Sequence, residues 1–484
     1  STLPLALVRD LFFNAEGVRP SPYWRPVVTC SYYLDHWIGG GSPVVFHLNN
    51  LVVLWVAALG VWRLLAPRWG RVEALAWAAL FTVHPVLVES ASNIAARTDL
   101  YCVAFGVWGL VIAKRHPWGS LALVLGACGS KEIGVIFPLV YVAWWGREQY
   151  RWKAPAVAVF GFLGVRWLLV MQWGLEPLSL GLDAWQTAGG RAMALVSQLL
   201  MPLPIAHGGL LATPGPASAI GGWLICLLLG RAAWKWKRSA PGLAVATVLV
   251  MGPILIALLA SPNQPRLSHG FLVVPLLGLI LALQVMCQER KSVAKPIGVG
   301  VLILGFMSAT RVGVWESDLT LFEASHALES DDAEVRLNLA RTVVLGDPKR
   351  SVLLLEGVVG FSPRRKREAA AVRAQALLKL GEAEQAVEWL RIAAGSDTES
   401  AWATGTLCVL LAGSPDAESE DICRGAVDLL PDDADVANAL GIVYARKGEL
   451  NSAATWFGRA LEIAPQRAAF RANLEAAHLA SQRQ

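Results

Sequence analysis

Apolar residues dominate the chain from residue 44 to about residue 312, whereas charged positions are frequent before and after this region. A helix needs about 20 apolar residues to cross a bilayer. The candidate membrane helices are the apolar runs 44–65, 72–88, 99–114, 117–129, 133–146, 154–172, 217–230, 240–260, 270–287 and 296–312. The pattern therefore predicts an all-α polytopic transmembrane domain over residues 44–312, with about ten spans.

Three apolar segments do not fit a simple crossing. The segment 188–203 is bounded by glycine and proline pairs, so we expect it to be re-entrant or interfacial. The runs 117–129 and 133–146 are too short to cross about 30 Å of hydrocarbon as helices. Short helices that end in polar residues at membrane depth are tolerated where they line a cavity or pack against protein.

The basic residues of the short loops fall on alternate loops if 188–203 does not cross. These residues are Arg63, Arg68, Arg71, Lys114, Arg115, Arg147, Arg151, Lys153, Arg231, Lys235, Lys237, Arg238, Arg290, Lys291 and Lys295. Cytoplasmic loops carry an excess of lysine and arginine. The pattern therefore places residues 1–43, 89–98, 130–132, 173–216 and 261–269 on the outer face, together with everything after residue 312.

Residues 1–43 are too polar to span a membrane and too aromatic for a free tail. They are predicted to form an irregular, amphipathic, extracytoplasmic loop on the bilayer surface. Because the chain begins at Ser1 without methionine, we expect it to be incomplete at this end, and a preceding span stays possible.

The pattern changes after residue 312 to charged, alanine-rich, amphipathic helices, with a linker helix over 313–330 and a repeat domain over 331–484. Small and large residues in the last part match the packing positions of a tetratricopeptide repeat, a 34-residue helical hairpin. These residues are Ala437, Leu440, Gly441, Tyr444, Ala453, Phe457, Ala460 and Pro465. We expect about four repeats between Asp331 and Pro465, then a capping helix to about Gln482. Stacked repeats present a concave surface to peptides.

Two polar islands, His84–Leu100 and Ser130–Glu132, interrupt the apolar region. Ionisable groups at such positions are costly and usually face a protein cavity. Both islands are predicted to lie on the outer face, so we expect a cavity there, roofed by the loop 1–43. The candidate cations are Arg97, Lys131 and Arg266, and the candidate carboxylates are Asp99, Glu132 and Glu89.

Simpler structural interpretations compete with these assignments. Lys131 and Glu132 could be a helix-end pair whose charges reach out to the interface. Arg97 and Asp99 could form an exposed salt bridge at a helix start. The negative charge of Asp99 would interact favourably with the helix dipole there.

Five further polar residues have two interpretations each. His84 is predicted to be a buried histidine bonded to its loop, not a metal ligand. Arg25 either pins its loop onto the cavity or contacts a phosphate. His47 and Asn49 open a span and are expected to cap it or to hold the roof loop. Arg166 interrupts an apolar run and needs a partner carboxylate or a lipid phosphate.

Composition and net charge indicate no further binding or catalytic site. The net charge of +5 is accounted for by the basic loops and requires no nucleic-acid partner. The seven cysteines show no Cys-x-x-Cys spacing, which signals neither a zinc site nor a disulfide framework. Cys408 and Cys423 could meet across one helical hairpin, as a disulfide or as two buried thiols. No tight spacing of histidine and carboxylate supports a metal site.

Short motifs occur in an order that resembles a known family. They are Tyr23-Trp24-Arg25-Pro26, Phe46-His47-Leu48-Asn49, His84-Pro85-Val86 with Glu89, Arg97-Thr98-Asp99-Leu100, and Ser130-Lys131-Glu132. The segment from Arg311 to Ala340 resembles that family's junction into its repeats. Over nearly its whole length the chain resembles the transmembrane and tetratricopeptide-repeat O-mannosyltransferase-like proteins.

The resemblance implies a membrane glycosyltransferase of the GT-C class, with a polyprenyl-phosphate-linked sugar as donor and a protein as acceptor. Such a reaction needs a carboxylate near the acceptor and cations around the leaving phosphate. The resemblance makes Asp99, Glu132 and Glu89 the catalytic candidates. The substrate-binding candidates are Arg25, His84, Arg97, Lys131, Arg166 and Arg266. A divalent metal requirement is not indicated either way.

The family carries an acidic pair just after a first transmembrane helix, and neither the pair nor that helix is present in this chain. Asp10 does not replace the pair by motif. Two hypotheses therefore stay open. The chain is either an enzyme whose repeats hold the acceptor protein, or a catalytically degenerate, membrane-anchored scaffold. For the enzyme we expect a bacterial inner membrane, with the repeats in the periplasm.

Overall fold

A computed structural model describes residues 24–145, 160–166, 168, 182–202, 210–211, 216–260, 266–267, 269–287, 292–413 and 417–482. Helices account for most of these residues, which confirms the predicted all-α class. The chain divides into two compact units between Thr320 and Leu321. The predicted boundaries at 43, 312 and 330 stay predictions. The predicted loop residues 1–23 and the run residues 154–159 and 169–172 lie outside the described residues.

The first unit contains twelve helices whose bounds are described, in addition to the helical residues 160–166. They are α1 (Pro26–Gly39), α2 (Pro43–Trp69), α3 (Arg71–Thr82), α4 (Val86–Ser92), α5 (Arg97–Ile112), α6 (Pro117–Ser130), α7 (Ile136–Trp145), α8 (Leu182–Leu200), α9 (Pro216–Ser239), α10 (Pro241–Ala260), α11 (Val273–Met286) and α12 (Ala294–Val312). Short 3-10 segments are Ile94–Ala96, Glu132–Val135, His269–Leu272 and Gly313–Trp315. Strands β1 (Leu210–Leu211) and β2 (Arg266–Leu267) form one antiparallel pair.

Proline sets several of these helix boundaries. Pro26, Pro43 and Pro117 begin α1, α2 and α6, where the missing N–H has no partner to lose. At Pro85 the chain breaks between α3 and α4, and the two helices meet at a bend of 69°. The predicted single run 72–88 is therefore two helices.

Four helices among the described residues are long and apolar enough to cross a membrane: Pro43–Trp69, Ile94–Ile112, Pro216–Lys235 and Ala294–Trp315. The bent pair α3 and α4 makes a fifth if it is one broken span. Pro216–Lys235 and Ala294–Trp315 bury only 11% and 6% of their apolar windows, which leaves their surfaces to lipid. The chain therefore has the helices of an integral membrane protein, and the count of about ten spans stays a prediction.

The structure differs from the expected irregular loop at α1. Residues 26–39 form a regular helix that ends at Gly40 in the left-handed conformation, with φ at 59°. Its start packs on α6, where a Cβ at Gly129 would lie 3.0 Å from Val27 Cγ2 and 3.7 Å from Pro26 Cγ. The segment 188–200 belongs to the single helix α8. Its re-entrant path stays a prediction.

The second unit and its junction contain ten helices among the described residues. They are α13 (Asp318–Leu328), α14 (Ala333–Val343), α15 (Pro348–Leu354), α16 (Pro363–Leu380), α17 (Ala383–Ala393), α18 (Ala401–Leu411), α19 (Ala417–Leu429), α20 (Ala434–Arg446), α21 (Leu450–Ile463) and α22 (Ala468–Ser481). From α14 to α21 they make four helical hairpins, and α22 follows as a single helix. Asp332, Ser362 and Asp433 cap the first helices of three hairpins through side-chain oxygens.

Close packing in the last hairpin depends on Gly441. A Cβ at this position would lie 2.6 Å from the ring of Phe457 on the facing helix. Of the predicted packing residues, all are buried except Pro465, which lies exposed in the turn after α21. They are Ala437, Leu440, Gly441, Tyr444, Ala453, Phe457 and Ala460.

Cys408 on α18 and Cys423 on α19 form a disulfide, with their Cα atoms 4.8 Å apart. The alternative of two buried thiols was therefore wrong. The other described cysteines are free.

Two glycine substitutions in the last hairpin should act in opposite directions. Gly441→Ala should lower the free energy of unfolding of the repeat unit by about 1–3 kcal/mol, because the new methyl overlaps the Phe457 ring. Gly458→Ala on α21 meets nothing within 4 Å and should raise it by about 0.5–1 kcal/mol, through helix propensity. Thermal melts of the two full-length variants check both signs. Equal effects would contradict the packing described.

Candidate functional site

The described contacts join the two polar islands through Lys131 and Asp99. Lys131 lies at the end of α6 and forms an ion pair with Asp99, in the first turn of α5. Both side chains are nearly fully buried. The Lys131 ammonium lies 4.4 Å from the centre of the Phe271 ring, and a side chain at Gly270 would overlap the Asp99 carboxylate. The 3-10 segment His269–Leu272 therefore closes over this pair.

Glu132, the next residue, binds two arginines from distant parts of the chain. Arg25 donates to it through Nε and Nη2 at 3.4 and 3.0 Å, and Arg166 Nη2 lies 3.1 Å away. Arg166 Nη1 also donates to the Trp24 carbonyl at 3.3 Å. The Trp24 ring stacks on Phe162 at 5.5 Å, which holds the helical residues 160–166 against the start of α1.

Arg97 makes a separate, fully buried cluster. Its Nη1 donates to Asp35 at 2.5 Å and to the Ser31 hydroxyl at 3.2 Å, and its Nη2 donates to the Phe46 carbonyl at 2.8 Å. The Tyr32 ring lies 4.6 Å from the guanidinium carbon. Arg97 therefore fastens α1 and the start of α2 to α5.

These positions decide between the simpler interpretations. Arg97 and Asp99 are buried and pair with different residues, so the exposed salt bridge at the helix start was wrong. Lys131 is buried and does not reach out to the interface, so that alternative was also wrong. Arg97 stays a substrate-binding candidate only as a prediction. Its position favours a structural role.

Three candidate site residues remain: His84, Glu89 and Arg266. His84 is buried and its Nδ1 accepts a hydrogen bond from the Val86 N–H at 3.3 Å. Glu89 on α4 is buried, near enough to Asp99 and Arg311 for their charges to interact. Arg266 lies on β2, and its side chain is outside the described part of the chain. No cluster of three or more metal-ligating side chains occurs among the described residues.

A polar network joins α1 and α2, and only the contact of Asn49 with the segment 1–43 was predicted. Asn49 donates to Asp35 at 2.6 Å and accepts from the Tyr101 hydroxyl at 3.0 Å. The Tyr32 hydroxyl donates to the Ile94 carbonyl at 3.1 Å, and burial raises the pKa of Tyr32 to about 12, so this donor stays protonated. The sequence signal for this network was weak: a single carboxylate, Asp35, beside an aromatic pair.

The charges of this site are unequal. Two guanidinium groups share the carboxylate of Glu132, whereas the Lys131–Asp99 and Arg97–Asp35 pairs are each neutral. Among the three described side chains of this cluster, two guanidinium groups therefore face one carboxylate. The side chains are 11–19% exposed, so a ligand can reach them. Such a cluster suits a phosphate, because arginine binds phosphate oxygens bidentately.

Comparison with known proteins yields similar proteins named as protein O-mannosyl-transferases. The chain is 33% identical to Tmtc1 of Drosophila melanogaster over 133 residues and 37% identical to Tmtc2 of the same organism over 101 residues. It is 27% identical to F38B6.6 of Caenorhabditis elegans over 120 residues. The predicted resemblance to this family is confirmed over these segments, and its extension over nearly the whole chain stays a prediction.

These similarities are partial. The matched segments cover 25%, 20% and 23% of this chain and only 15%, 10% and 17% of the three relatives. No family model matches the chain. Among solved structures, the crystal structure of yeast Tom70 is similar at 11% identity and a TM-score of 0.26, covering 90% of this chain and 96% of that chain. A likeness this weak carries no conclusion.

Replacement of Arg97 and Asp35 tests whether their ion pair stabilises the structure. Arg97→Met and Asp35→Leu should each destabilise the membrane unit by about 3–5 kcal/mol, because each leaves a buried charge without its partner. The double variant should recover most of this loss, because neither charge is then buried alone. Thermal melts in detergent of the wild type, the two single variants and the double variant measure these changes in stability. Additive losses in the double variant would contradict the pairing.

Proposed function

We propose that this protein is a GT-C-type membrane glycosyltransferase that transfers a sugar from a polyprenyl-phosphate carrier to a protein. The observation that supports this most is the cluster in which Arg25 and Arg166 share Glu132. Support also comes from the relatives named protein O-mannosyl-transferases, which make mannose the first sugar to test.

In this proposal Arg25 and Arg166 hold the phosphate of the donor. As the bond between the sugar and the phosphate breaks, negative charge grows on the leaving phosphate, and fixed cations lower the energy of that state. Glu132 orients both guanidinium groups and is a positioning residue. Trp24 and the residues 160–166 fix the remaining geometry.

The acceptor side of the reaction needs a carboxylate that can take a proton from a hydroxyl group. Asp99, Glu132 and Glu89 are the three carboxylates proposed for this role, and the Asn or Gln variant of each one tests it. Lys131 positions the Asp99 carboxylate through their ion pair.

The site and the repeats should lie on the same, outer face of the membrane. Contacts bring together Arg25, Asp99, Lys131 and Glu132, which the loop charges assign to that face. The disulfide in the repeat unit supports the same orientation, because disulfides persist in oxidising compartments. A bacterial inner membrane with periplasmic repeats, whose groove would hold the acceptor, fits these observations.

Donor binding by the arginine cluster can be measured directly. Arg25→Gln and Arg166→Gln should each weaken the binding of polyprenyl-phosphate mannose to the full chain in nanodiscs by about 10- to 100-fold, the cost of a lost charged hydrogen bond. Arg63→Gln is the control and should bind normally, because Arg63 lies exposed in the last third of α2, at the predicted cytoplasmic side. Sugar transfer should fall in parallel with binding.

Two results would contradict parts of the proposed glycosyltransferase function. If Arg25→Gln and Arg63→Gln bind the donor equally, the arginine cluster is not the phosphate site. If the wild-type chain binds no polyprenyl phosphate at all, the membrane-anchored scaffold becomes the better proposal.

Thiol labelling tests the compartment of the repeats. In intact cells Cys408 and Cys423 should resist alkylation until a reductant is added. The Cys408→Ser variant should lose about 3 kcal/mol of stability, as expected for a loop of 15 residues. Free thiols at both positions in the mature protein would contradict an outer, oxidising location.

A further inference from the structure

The repeat unit contains a cavity of about 360 Å³ that the proposed transfer chemistry does not use. It lies across the first helices of three successive hairpins, α14, α16 and α18. The side chains that matter in its wall are Arg341, Arg364, Arg365, Arg367, Glu399 and Trp402.

Positive charge dominates the lining. Four arginines and two glutamates line the cavity. Arg364 pairs with Glu399 in the wall at 2.7 Å, whereas Arg367 pairs at 2.9 Å with Asp397, which is not part of the lining. Arg341 and Arg365 both pair with Glu368, and Arg365 also pairs with Glu334, which is not part of the lining. The lining itself therefore presents four guanidinium groups and two carboxylates to a ligand.

Helix stability does not account for this placement. Arg364, Arg365 and Arg367 lie in the first turns of α16, where the helix dipole disfavours cations. The ion pairs with neighbouring hairpins offset part of this cost, and pairs as exposed as these contribute only about 0–1 kcal/mol each. An anionic ligand in the cavity would give these three arginines a further partner at this dipole-unfavourable position.

The cavity also has an apolar side. Trp402, in the first turn of α18, is 44% exposed and lines the same wall as the arginines. Ala371, Ala393 and Ala403 complete this side. An exposed aromatic side chain next to cations suits a chain segment that combines acidic and apolar residues.

We propose that this cavity binds an acidic peptide segment. Its carboxylates contact Arg364 and Arg367, and a neighbouring apolar side chain packs on Trp402. The inference rests on the proposed function in one respect: the segment belongs to the acceptor protein. Recognition of acidic residues would then select which proteins receive the sugar.

The test measures fluorescence anisotropy of a short labelled peptide, in which aspartate and glutamate flank a central leucine, on the full chain in nanodiscs. The double variant Arg364→Gln/Arg367→Gln should weaken binding about tenfold or more, and added salt should weaken binding to the wild type. Arg459→Gln is the matched control. Arg459 is similarly exposed and ion-paired, on the later helix α21, and its variant should bind as the wild type does.

A peptide with asparagine and glutamine in place of the acids should bind at least tenfold more weakly. Equal binding of the two peptides would overturn the proposal, as would equal binding to the two arginine variants. The single Arg364→Gln variant and a circular dichroism melt guard against a folding defect, because Arg364 is more than half exposed. Displacement of the peptide by inorganic phosphate alone would also overturn it, since the cavity would then be a general anion site.

Failure of this inference can be told from failure of the proposed function. If the acidic peptide does not bind but polyprenyl-phosphate mannose does, the inference is wrong and the transferase proposal stands. If the peptide binds and the donor does not, the cavity is a peptide site of a scaffold.

Discussion

Cations in the membrane unit are held by carboxylates from distant parts of the chain. Arg97 binds Asp35, which lies 62 residues away, and Lys131 binds Asp99, 32 residues away. A buried charge without a partner costs several kcal/mol, so each of these pairs fixes the position of two helices at once. The second half of α1, the polar first turn of α5 and the end of α6 are brought together for this reason.

The same constraint creates a site for a ligand. Where one carboxylate serves one cation, as at Arg97 and Asp35, the result is a structural fastening. Where Glu132 serves two arginines, two guanidinium groups gather around one carboxylate at a partly exposed position. In our proposal the phosphate of a lipid carrier binds to these guanidinium groups. In the repeat unit, arginines likewise gather around a cavity, and there the proposed anion is an acidic peptide.

Much of the fold could be predicted from the sequence because it is encoded locally. Apolar length, proline positions and the spacing of Gly441, Tyr444 and Phe457 predicted helices and hairpins, since these depend on neighbours one or two turns away. The helix over 26–39 escaped prediction because its polar face is satisfied by Arg97 and Asn49, from other helices.

The candidate site was predicted less completely. Lys131, Glu132 and Asp99 were found because charges in an apolar region are visible in a sequence. Their partners were not, because pairing is a property of the tertiary structure. Arg166 shows the intermediate case: its need for a carboxylate could be predicted, and its pairing with Glu132 could not.

The central claim is that the guanidinium groups of Arg25 and Arg166 bind a carrier phosphate. A cryo-electron microscopy map of the full chain in nanodiscs with added polyprenyl-phosphate mannose tests it most directly. The phosphate density should lie within hydrogen-bonding distance of both guanidinium groups, about 3 Å from their nitrogens. Phosphate density at a different place, with Glu132 still bound by both arginines, would contradict the claim.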